Sequence, residues 1–198
     1  MVSQSRSGGA QFIVNEQIDT ESLGDRVVRR DIIHTMRTRD IQFTVNTLKP
    51  FTQVYPFFDE VDVSNFCLNK LIEIGMVSGT FIPGETIRGR MNNDGVELLA
   101  IGITPRINFR LAASNHKYGP YNDPTDTYVI NPYDRNNIIP ATYTETSTTL
   151  NVDTFSLSSD DFPQFDGYLA QGMILVGQSS GAQAVVQRVR LIPDNLGS

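Results

Sequence analysis

Short apolar runs with a two-residue period constrain the fold of this chain more than any other feature. Residues 40–48 read DIQFTVNTL, in which Ile41, Phe43 and Val45 alternate with polar side chains. This alternation is typical of a half-buried strand, and Pro50 ends it because proline cannot donate to a β-ladder. Similar strand candidates follow, namely TQVYPFF (52–58), KLIEIGMV (70–77), AIGITPRINFRLAA (100–113) and STTLNVDTFSLSS (147–159). No stretch carries a long apolar stripe at helical spacing, so the sequence predicts a mainly β protein.

Two segments of the chain share a glycine spacing. GETIRG (84–89) and GMILVG (172–177) both read G-x-x-x-x-G, and each precedes a turn signal, NNDG (92–95) or QSSG (178–181). Because an apolar strand candidate follows each turn, the pattern predicts hairpins over residues 84–103 and 172–191. The positive φ angle of each turn is expected at Gly95 or Gly181. The repeat indicates either a pseudo-repeat within one small barrel or two linked β modules.

These signals predict small β-barrel or sandwich-like modules built from hairpins, together with long ordered loops. Residues 1–39 are expected to form an extended N-terminal arm, and residues 40–112 a first β module. Residues 113–149 are expected to form a long loop rich in tyrosine, proline and asparagine. Residues 150–198 then form a second β segment that completes or pairs with the first module.

The charge balance argues against general nucleic-acid binding. The net charge is −6 and the isoelectric point about 4.8, whereas phosphate contacts need a surplus of lysine and arginine. One segment is an exception because it is rich in arginine, although acidic residues are interleaved with the arginines. These arginines are Arg26, Arg29, Arg30, Arg37 and Arg39. The interleaving favours an arm that pairs with acidic neighbours over the alternative of an anion- or nucleic-acid-binding patch, and Arg29 and Arg30 are the candidate interface residues. The longest apolar runs are far too short to span a bilayer, so we expect no membrane insertion.

Residues that would carry catalysis or bind a metal are scarce. The chain has one cysteine, Cys67, and two histidines, His34 and His116, whereas a tetrahedral zinc site needs three or four such ligands. The sequence has no phosphate-loop or nucleophile-elbow motif. We therefore predict that the chain is not an enzyme and has no cofactor, catalytic residue or metal site.

Two acidic clusters lie beside aromatic side chains. Asp59, Glu60 and Asp62 follow Phe57 and Phe58, and this order favours a turn whose rings pack inward while the acids face water. A cation site is the less favoured alternative there. The second cluster, in the tyrosine-rich stretch, is a somewhat better candidate for a cation or a sugar and consists of Asp123, Asp126 and Asp134.

The tyrosine-rich stretch 113–149 has too few aliphatic side chains to build a core of its own. Ordering each residue costs roughly 1–2 kcal/mol of backbone entropy, so we expect a second chain or another protein to complete this surface. Tyrosine is enriched at protein interfaces. The candidate interface residues are Tyr118, Tyr121, Tyr128 and Tyr133.

Residues 25–64 carry the most specific pattern in the chain. R-x-R-x-I-x-F is followed by L-K-P-x-T-x-x-Y-x-F-F-D-x-x-D-V, at positions Arg37, Arg39, Ile41, Phe43, Leu48, Lys49, Pro50, Thr52, Tyr55, Phe57, Phe58, Asp59, Asp62 and Val63. This pattern resembles virion structural proteins (tail, baseplate or fibre) of contractile-tailed marine cyanophages. Later stretches are similar to parts of the same proteins, namely FIPGETIRG (81–89), NHKYGPYNDPTDTY (115–128), LNVDTFSLS (150–158) and GMILVGQSSGAQAVV (172–186).

The resemblance implies a virion component that acts by oligomerisation and by docking to other tail or baseplate proteins, without catalysis. It implies assembly in the host cytoplasm and a final place in the phage tail. Proteins with this pattern are usually longer, so this chain is expected to be one module of a larger fibre protein. Phage fibres are commonly threefold, which favours a homotrimer. The alternative is a receptor- or glycan-binding module of a tail fibre that attaches to the host through the tyrosine-rich loop.

Overall fold

The computed structural model describes residues 41–91, 106–159 and 161–198. Strands account for 37% of these residues and helices for 5%, so the prediction of a mainly β protein is confirmed. In chain order the strands are β1 (Phe57–Phe58), β2 (Val61–Asp62), β3 (Leu71–Ser78), β4 (Thr86–Arg90), β5 (Arg106–Arg110), β6 (His116–Tyr118), β7 (Asp126–Thr127), β8 (Ile130–Asn131), β9 (Asp134–Ile138), β10 (Thr149–Asn151), β11 (Asp166–Gly167), β12 (Ile174–Gly177) and β13 (Gln183–Arg188). The helical elements of the described residues are a 3-10 turn (Ser64–Phe66) and α1 (Thr154–Ser158).

Seven strands form one antiparallel sheet that curls into a half-barrel. The strand order is β10-β3-β13-β12-β4-β5-β11, so strands from the early and late parts of the chain are interleaved. The remaining strands pair as three small ribbons, β1–β2, β6–β7 and β8–β9. Strands from residues 71–110 and from residues 149–188 thus contribute to a single sheet.

The inner face of this sheet carries the hydrophobic core. Along β4, Ile87 is fully buried and Arg88 is exposed, as the two-residue period of a strand requires. Side chains from outside the sheet close the core against this face, among them Phe81, Tyr143 and Leu169. The outer face is left to solvent and to polar or half-buried side chains.

The sequence repeat corresponds to a pseudo-twofold axis within the sheet. Strands β3, β4 and β5 form one unit and β11, β12 and β13 the other, and exchanging the units maps the order β3-β13-β12-β4-β5-β11 onto its own reverse. The first strand of each unit pairs with the third strand of the other, while β4 and β12 pair with each other. Arg88 pairs with Val176, its counterpart in the repeat. The axis therefore passes between these two residues.

The chain also enters the second strand of each unit, β4 or β12, through a similar turn. Gly84 and Gly172 have φ angles of 89° and 83°, a left-handed conformation that favours glycine. Each donates its backbone N–H to its own unit, Gly84 to Leu111 O at 2.7 Å and Gly172 to Val186 O at 2.8 Å. The shared glycine spacing is therefore a pseudo-repeat within one sheet, the first of the two alternatives that the sequence left open.

The hairpin predicted over residues 172–191 is confirmed. β12 pairs with β13, and Gly181 has a φ angle of 71° in the turn between them. The hairpin predicted over residues 84–103 is only partly within the described residues. Its first strand is β4, which pairs with β5, and residues 92–105, including Gly95, lie outside the described ranges.

Some local strand predictions hold and others are wrong. Residues 71–78 form β3 as predicted, whereas residues 41–48 form no strand and their alternating apolar side chains are exposed. A strand needs a neighbour to satisfy its backbone N–H and C=O groups, and no described strand lies beside this stretch. Residues 147–159 begin as β10 but continue as α1.

The tyrosine-rich stretch 113–149 contains the ribbons β6–β7 and β8–β9 and is tied to the sheet. The buried hydroxyl of Tyr143 donates to Ala112 O at 2.8 Å and accepts from Asn151 N at 3.1 Å. The arm predicted for residues 1–39 lies outside the described residues.

Candidate interaction surface

Exposed apolar side chains concentrate in one part of the chain. Fifteen large hydrophobic side chains are exposed in the described residues, and eight of them lie within residues 41–66. These eight are Ile41, Phe43, Val45, Tyr55, Phe57, Phe58, Val61 and Phe66. Single exposed apolar residues are normal, but a group of them marks an interaction site. We call residues 41–66 the apolar segment.

The β1–β2 hairpin forms the tip of the apolar segment. Its loop has two residues, Asp59 and Glu60, with φ angles of 48° and 65°. Positive φ at both central positions is the type I′ arrangement, which fits the twist of paired strands but favours asparagine and glycine. The turn predicted at Asp59 is therefore present, with both acids exposed.

The prediction that Phe57 and Phe58 pack inward is wrong. Their exposed fractions are 64% and 73%. Adjacent residues of a strand point to opposite faces, so a two-stranded ribbon cannot turn both rings towards one core. The hairpin instead presents aromatic side chains on both faces and carboxylates at its tip.

The beginning of the apolar segment has its apolar side turned outward. Gln42 donates from Nε2 to Thr154 Oγ1 and accepts at Oε1 from Ser158 Oγ, both at 3.1 Å. These bonds hold the polar side of the stretch against α1, while Ile41 and Phe43 remain exposed. In a strand of a monomeric protein the apolar side usually faces the core. Here the apolar side faces outward.

The root of the apolar segment is anchored. Leu48 N donates to Gly197 O and Val54 N donates to Leu191 O, each at 3.0 Å. The segment is therefore fixed to the chain at its base and free at its tip.

The outer face of the half-barrel combines arginines with apolar side chains. Arg88 and Arg90 are exposed on β4, and the register places Val176 beside Arg88 and Ile174 beside Arg90. Arg90 also stands directly opposite Arg106 of β5, and like charges in that position are destabilising. We call the surface made by these five residues the outer arginine face.

The acids considered as cation ligands are used in turns. Asp62 accepts from the hydroxyl of Ser64 at 2.6 Å and from its backbone N–H at 2.8 Å, and both bonds lower the pKa of Asp62. Asp126 and Asp134 accept from the backbone N–H of residues 127 and 136. The described residues contain no group of three or more side chains placed to hold a metal ion.

Two of the four candidate interface tyrosines are enclosed by their own chain. The Tyr133 hydroxyl donates to Leu71 O, and burial raises the pKa of Tyr133 to about 12. Burial likewise raises the pKa of Tyr128, whose ring centroid lies 5.6 Å from Lys117 Nζ.

The other two candidate tyrosines are nearer the surface. The guanidinium of Arg110 lies 4.2 Å from the ring centroid of Tyr121, and Tyr118 is 46% exposed. The interface role of the four tyrosines stays a prediction. Arg29 and Arg30 lie outside the described residues.

Cys67 and His116 are among the scarce residues of the sequence that could carry catalysis. Burial lowers the pKa of His116, whose Nε2 lies 3.0 Å from Gly119 O. Burial and the charge of Asp62 raise the pKa of the Cys67 thiol, which reduces its thiolate fraction. No hydrogen bond joins these two side chains, and His34 lies outside the described ranges.

Glu85 is a buried structural residue that the sequence interpretation missed. Its carboxylate accepts from Ile82 N at 2.8 Å, Ser179 N at 3.1 Å and Ser180 N at 2.9 Å. It thereby joins the entry turn of one unit to the hairpin turn of the other. The signal was present in the repeat, because Glu85 occupies the place of the buried Met173. An acid at a position whose counterpart is buried and apolar indicates that hydrogen-bond donors surround its carboxylate.

A buried ion pair fastens the last residues of the chain. Lys117 Nζ lies 2.5 Å from Asp194 Oδ2, and the two side chains are 6% and 2% exposed. The other carboxylate oxygen accepts from Leu196 N and Ser198 N. Burial alone raises the pKa of Asp194, but the bonds from Lys117, Ser198 and Leu196 outweigh it and leave the pKa below its usual value.

A cleft in the described part of the chain is too small for a typical small-molecule site. A cleft of about 170 Å³ lies between residues 53–56 and 189–191, below the roughly 300 Å³ at which ligand pockets begin. None of the helices described is long and apolar enough to cross a membrane. No family model, curated protein or solved structure matches the chain. Its surface chemistry is therefore the basis for a functional proposal.

Proposed function

We propose that this chain is a structural component of a phage tail, baseplate or tail fibre that acts by homo-oligomerisation and by docking to other tail proteins. The observation that carries the proposal is the apolar segment, which is hydrogen-bonded at its root and exposed at its tip. A second surface that covers these side chains removes their apolar area from water.

The apolar segment offers enough area to drive association. Burying one large apolar side chain contributes roughly 1.5–3 kcal/mol, and Phe57, Phe58 and Val61 are all more than half exposed. Association costs an estimated 4–15 kcal/mol in lost translational and rotational freedom. Several of these side chains must therefore be buried together, as a protruding hairpin allows.

Backbone strain is also concentrated in the apolar segment. The non-glycine residues with positive φ in the described chain are Thr47, Phe51, Asp59 and Glu60. Such conformations cost of order 1–3 kcal/mol each and persist where surrounding structure holds them. The exposed tip has little of its own chain around it, and a partner surface supplies that support.

The phage assignment is supported by the resemblance of residues 37–63. Four aromatic residues of that pattern, Phe43, Tyr55, Phe57 and Phe58, are exposed. Aromatic residues that do not serve the core of their own chain are expected of a docking element. A trimer is the favoured assembly by analogy with phage fibres.

Locating the chain in particles tests this proposal. Purified particles of a phage that encodes the chain should contain it by mass spectrometry, and antibodies against it should label the tail or baseplate in electron micrographs. Its absence from intact particles, with detection only in the lysate, would contradict the proposed function.

A further inference from the structure

We infer that the acidic tip of the β1–β2 hairpin docks on the outer arginine face of a second copy of the chain. This inference rests on the proposed function and deepens it, because it names the surface that covers the apolar segment.

The two surfaces have opposite charge. Asp59 and Glu60 are consecutive residues at the end of the hairpin, and both are exposed. Arg88 and Arg90 project from the same face of β4, about 7 Å apart because side chains on one face of a strand recur every second residue. Two consecutive residues of the hairpin tip stand closer together than these two arginines. The long arginine side chains make up this difference in spacing. Two carboxylates therefore meet two guanidinium groups.

The basic charge of the outer arginine face is only partly compensated within the described chain. Arg106 forms an exposed ion pair with Asp166 at 2.9 Å, whereas Arg88 and Arg90 have no ion-pair partner among the described residues. Because Arg90 and Arg106 are directly opposite each other, their repulsion weakens the sheet at this point. An anion bound between the strands relieves it, and the carboxylates of the hairpin tip supply that charge.

The apolar parts of the two surfaces match as well. Phe58 and Val61 stand next to the acids of the tip and are 73% and 63% exposed, and Ile174 and Val176 stand next to the arginines on the sheet. Exposed ion pairs alone contribute little to association. Apolar contacts around them exclude water and strengthen the charge pairing. An arginine can also stack on an aromatic ring of the hairpin.

The proposed contact joins two different surfaces, so it is head-to-tail. Such a contact closes into a ring when its rotation allows and otherwise continues as a filament. In the described part of the single chain the hairpin tip and the arginines of β4 are both exposed. Both surfaces are therefore available to a second copy.

Charge reversal with compensation tests the contact in the full chain. Arg88→Glu/Arg90→Glu reverses the face, Asp59→Lys/Glu60→Lys reverses the tip, and a fourfold variant carries both changes. Mass photometry and sedimentation velocity at micromolar concentration and low salt measure the assembly. Glu145→Lys, at an exposed turn residue outside both surfaces, is the control for reversal of an acid. Thermal melts confirm that each variant is folded.

We expect each double variant to weaken assembly at least about tenfold, because like charges then face each other across the contact. The fourfold variant should return towards wild-type mass, and Glu145→Lys should not differ from wild type. The inference is overturned if the folded double variants keep wild-type mass, if the fourfold variant stays dissociated, or if the wild-type chain is a monomer. If Phe57→Ser/Phe58→Ser dissociates the assembly while the charge variants do not, the docking surface lies elsewhere and the proposed function stands.

Discussion

Buried charges join parts of the chain that are distant in sequence. Glu85 ties one half of the repeat to the hairpin turn of the other, and Lys117 holds Asp194 near the C-terminus. Removing one member of such a pair leaves an uncompensated buried charge, which typically costs about 3–5 kcal/mol. Asp194 positions Leu196 and Ser198, and Gly197 between them accepts from Leu48 N at the root of the apolar segment.

The protonation of Lys70 should make the free energy of unfolding depend on pH. Its Nζ donates to Val152 O at 3.1 Å, and burial lowers the pKa of Lys70 to about 8, against the opposing charge of Asp153. An unfolded lysine keeps its proton up to about pH 10.4. Between about pH 8 and pH 9.5 the unfolded state therefore binds more protons, and stability rises with pH. Towards pH 10 the sign reverses, because unfolded tyrosines ionise while burial raises the pKa of Tyr128, Tyr133 and Tyr143 and keeps them protonated.

We expect the free energy of unfolding in urea to rise by roughly 1 kcal/mol between about pH 8 and pH 9.5, because ionisation of the unfolded tyrosines offsets part of the lysine contribution. Lys70→Met should abolish this rise, and Lys49→Met, at an exposed lysine, should retain it. A flat wild-type profile, or an equal rise in Lys70→Met, would show that Lys70 is not buried as described.

The sequence indicated little of this residue-level chemistry. Lys117 and Asp194 are 77 positions apart, and nothing in the composition around either residue predicts that they meet. The acid at Glu85 was visible beside its apolar counterpart, Met173, but only a known register shows that the two positions are equivalent. Pairings of this kind depend on the tertiary fold and not on local pattern.

At the scale of elements, the repeat builds the sheet and also provides a matched pair of positions. Gly84 and Gly172 begin equivalent strands with nearly equal positive φ angles. A Cβ at Gly172 meets nothing within 4 Å, whereas a Cβ at Gly84 lies 3.0 Å from the ring of Tyr121. Both turns thus need a residue with a positive φ angle, and only the turn at Gly84 has the Tyr121 ring beside it.

We expect Gly172→Ala to lower the free energy of unfolding by about 1–2 kcal/mol, the cost of a side chain in the left-handed region. Gly84→Ala should cost more, because the Tyr121 ring must also move. Chemical denaturation of both variants measures the difference. Equal costs would remove the role of Tyr121, and no cost in either variant would contradict the left-handed turns.

Elements were predictable where the chain supplies its own neighbours. β3 and the β12–β13 hairpin have both the apolar pattern and adjacent strands, and both were predicted. Residues 41–48 have the same pattern, yet the described chain gives them no adjacent strand. The two phenylalanines before Asp59 were read as core, although consecutive strand residues cannot share one face. An apolar period indicates which side chains are buried in the functional state. It does not indicate whether the surface that covers them belongs to the same chain.

At the scale of the whole molecule, a half-barrel carries a protruding hairpin on a root that is hydrogen-bonded to residues near the C-terminus. The core is closed on the inner face of the sheet, while the apolar segment and the outer arginine face remain exposed. Stability and association are therefore carried by different residues. Changes at the tip should alter association and leave the fold intact.

The most direct test compares the mass of the full chain with that of Phe57→Ser/Phe58→Ser by mass photometry and sedimentation velocity at micromolar concentration. Phe155→Ser is the control, because Phe155 on α1 is 64% exposed, as Phe57 is. We predict that the wild type and Phe155→Ser form the same oligomer and that the double variant is a monomer. The stability of each variant should lie within about 1 kcal/mol of wild type, as for exposed substitutions. A monomeric wild type, or a double variant that keeps the wild-type mass, would contradict the account.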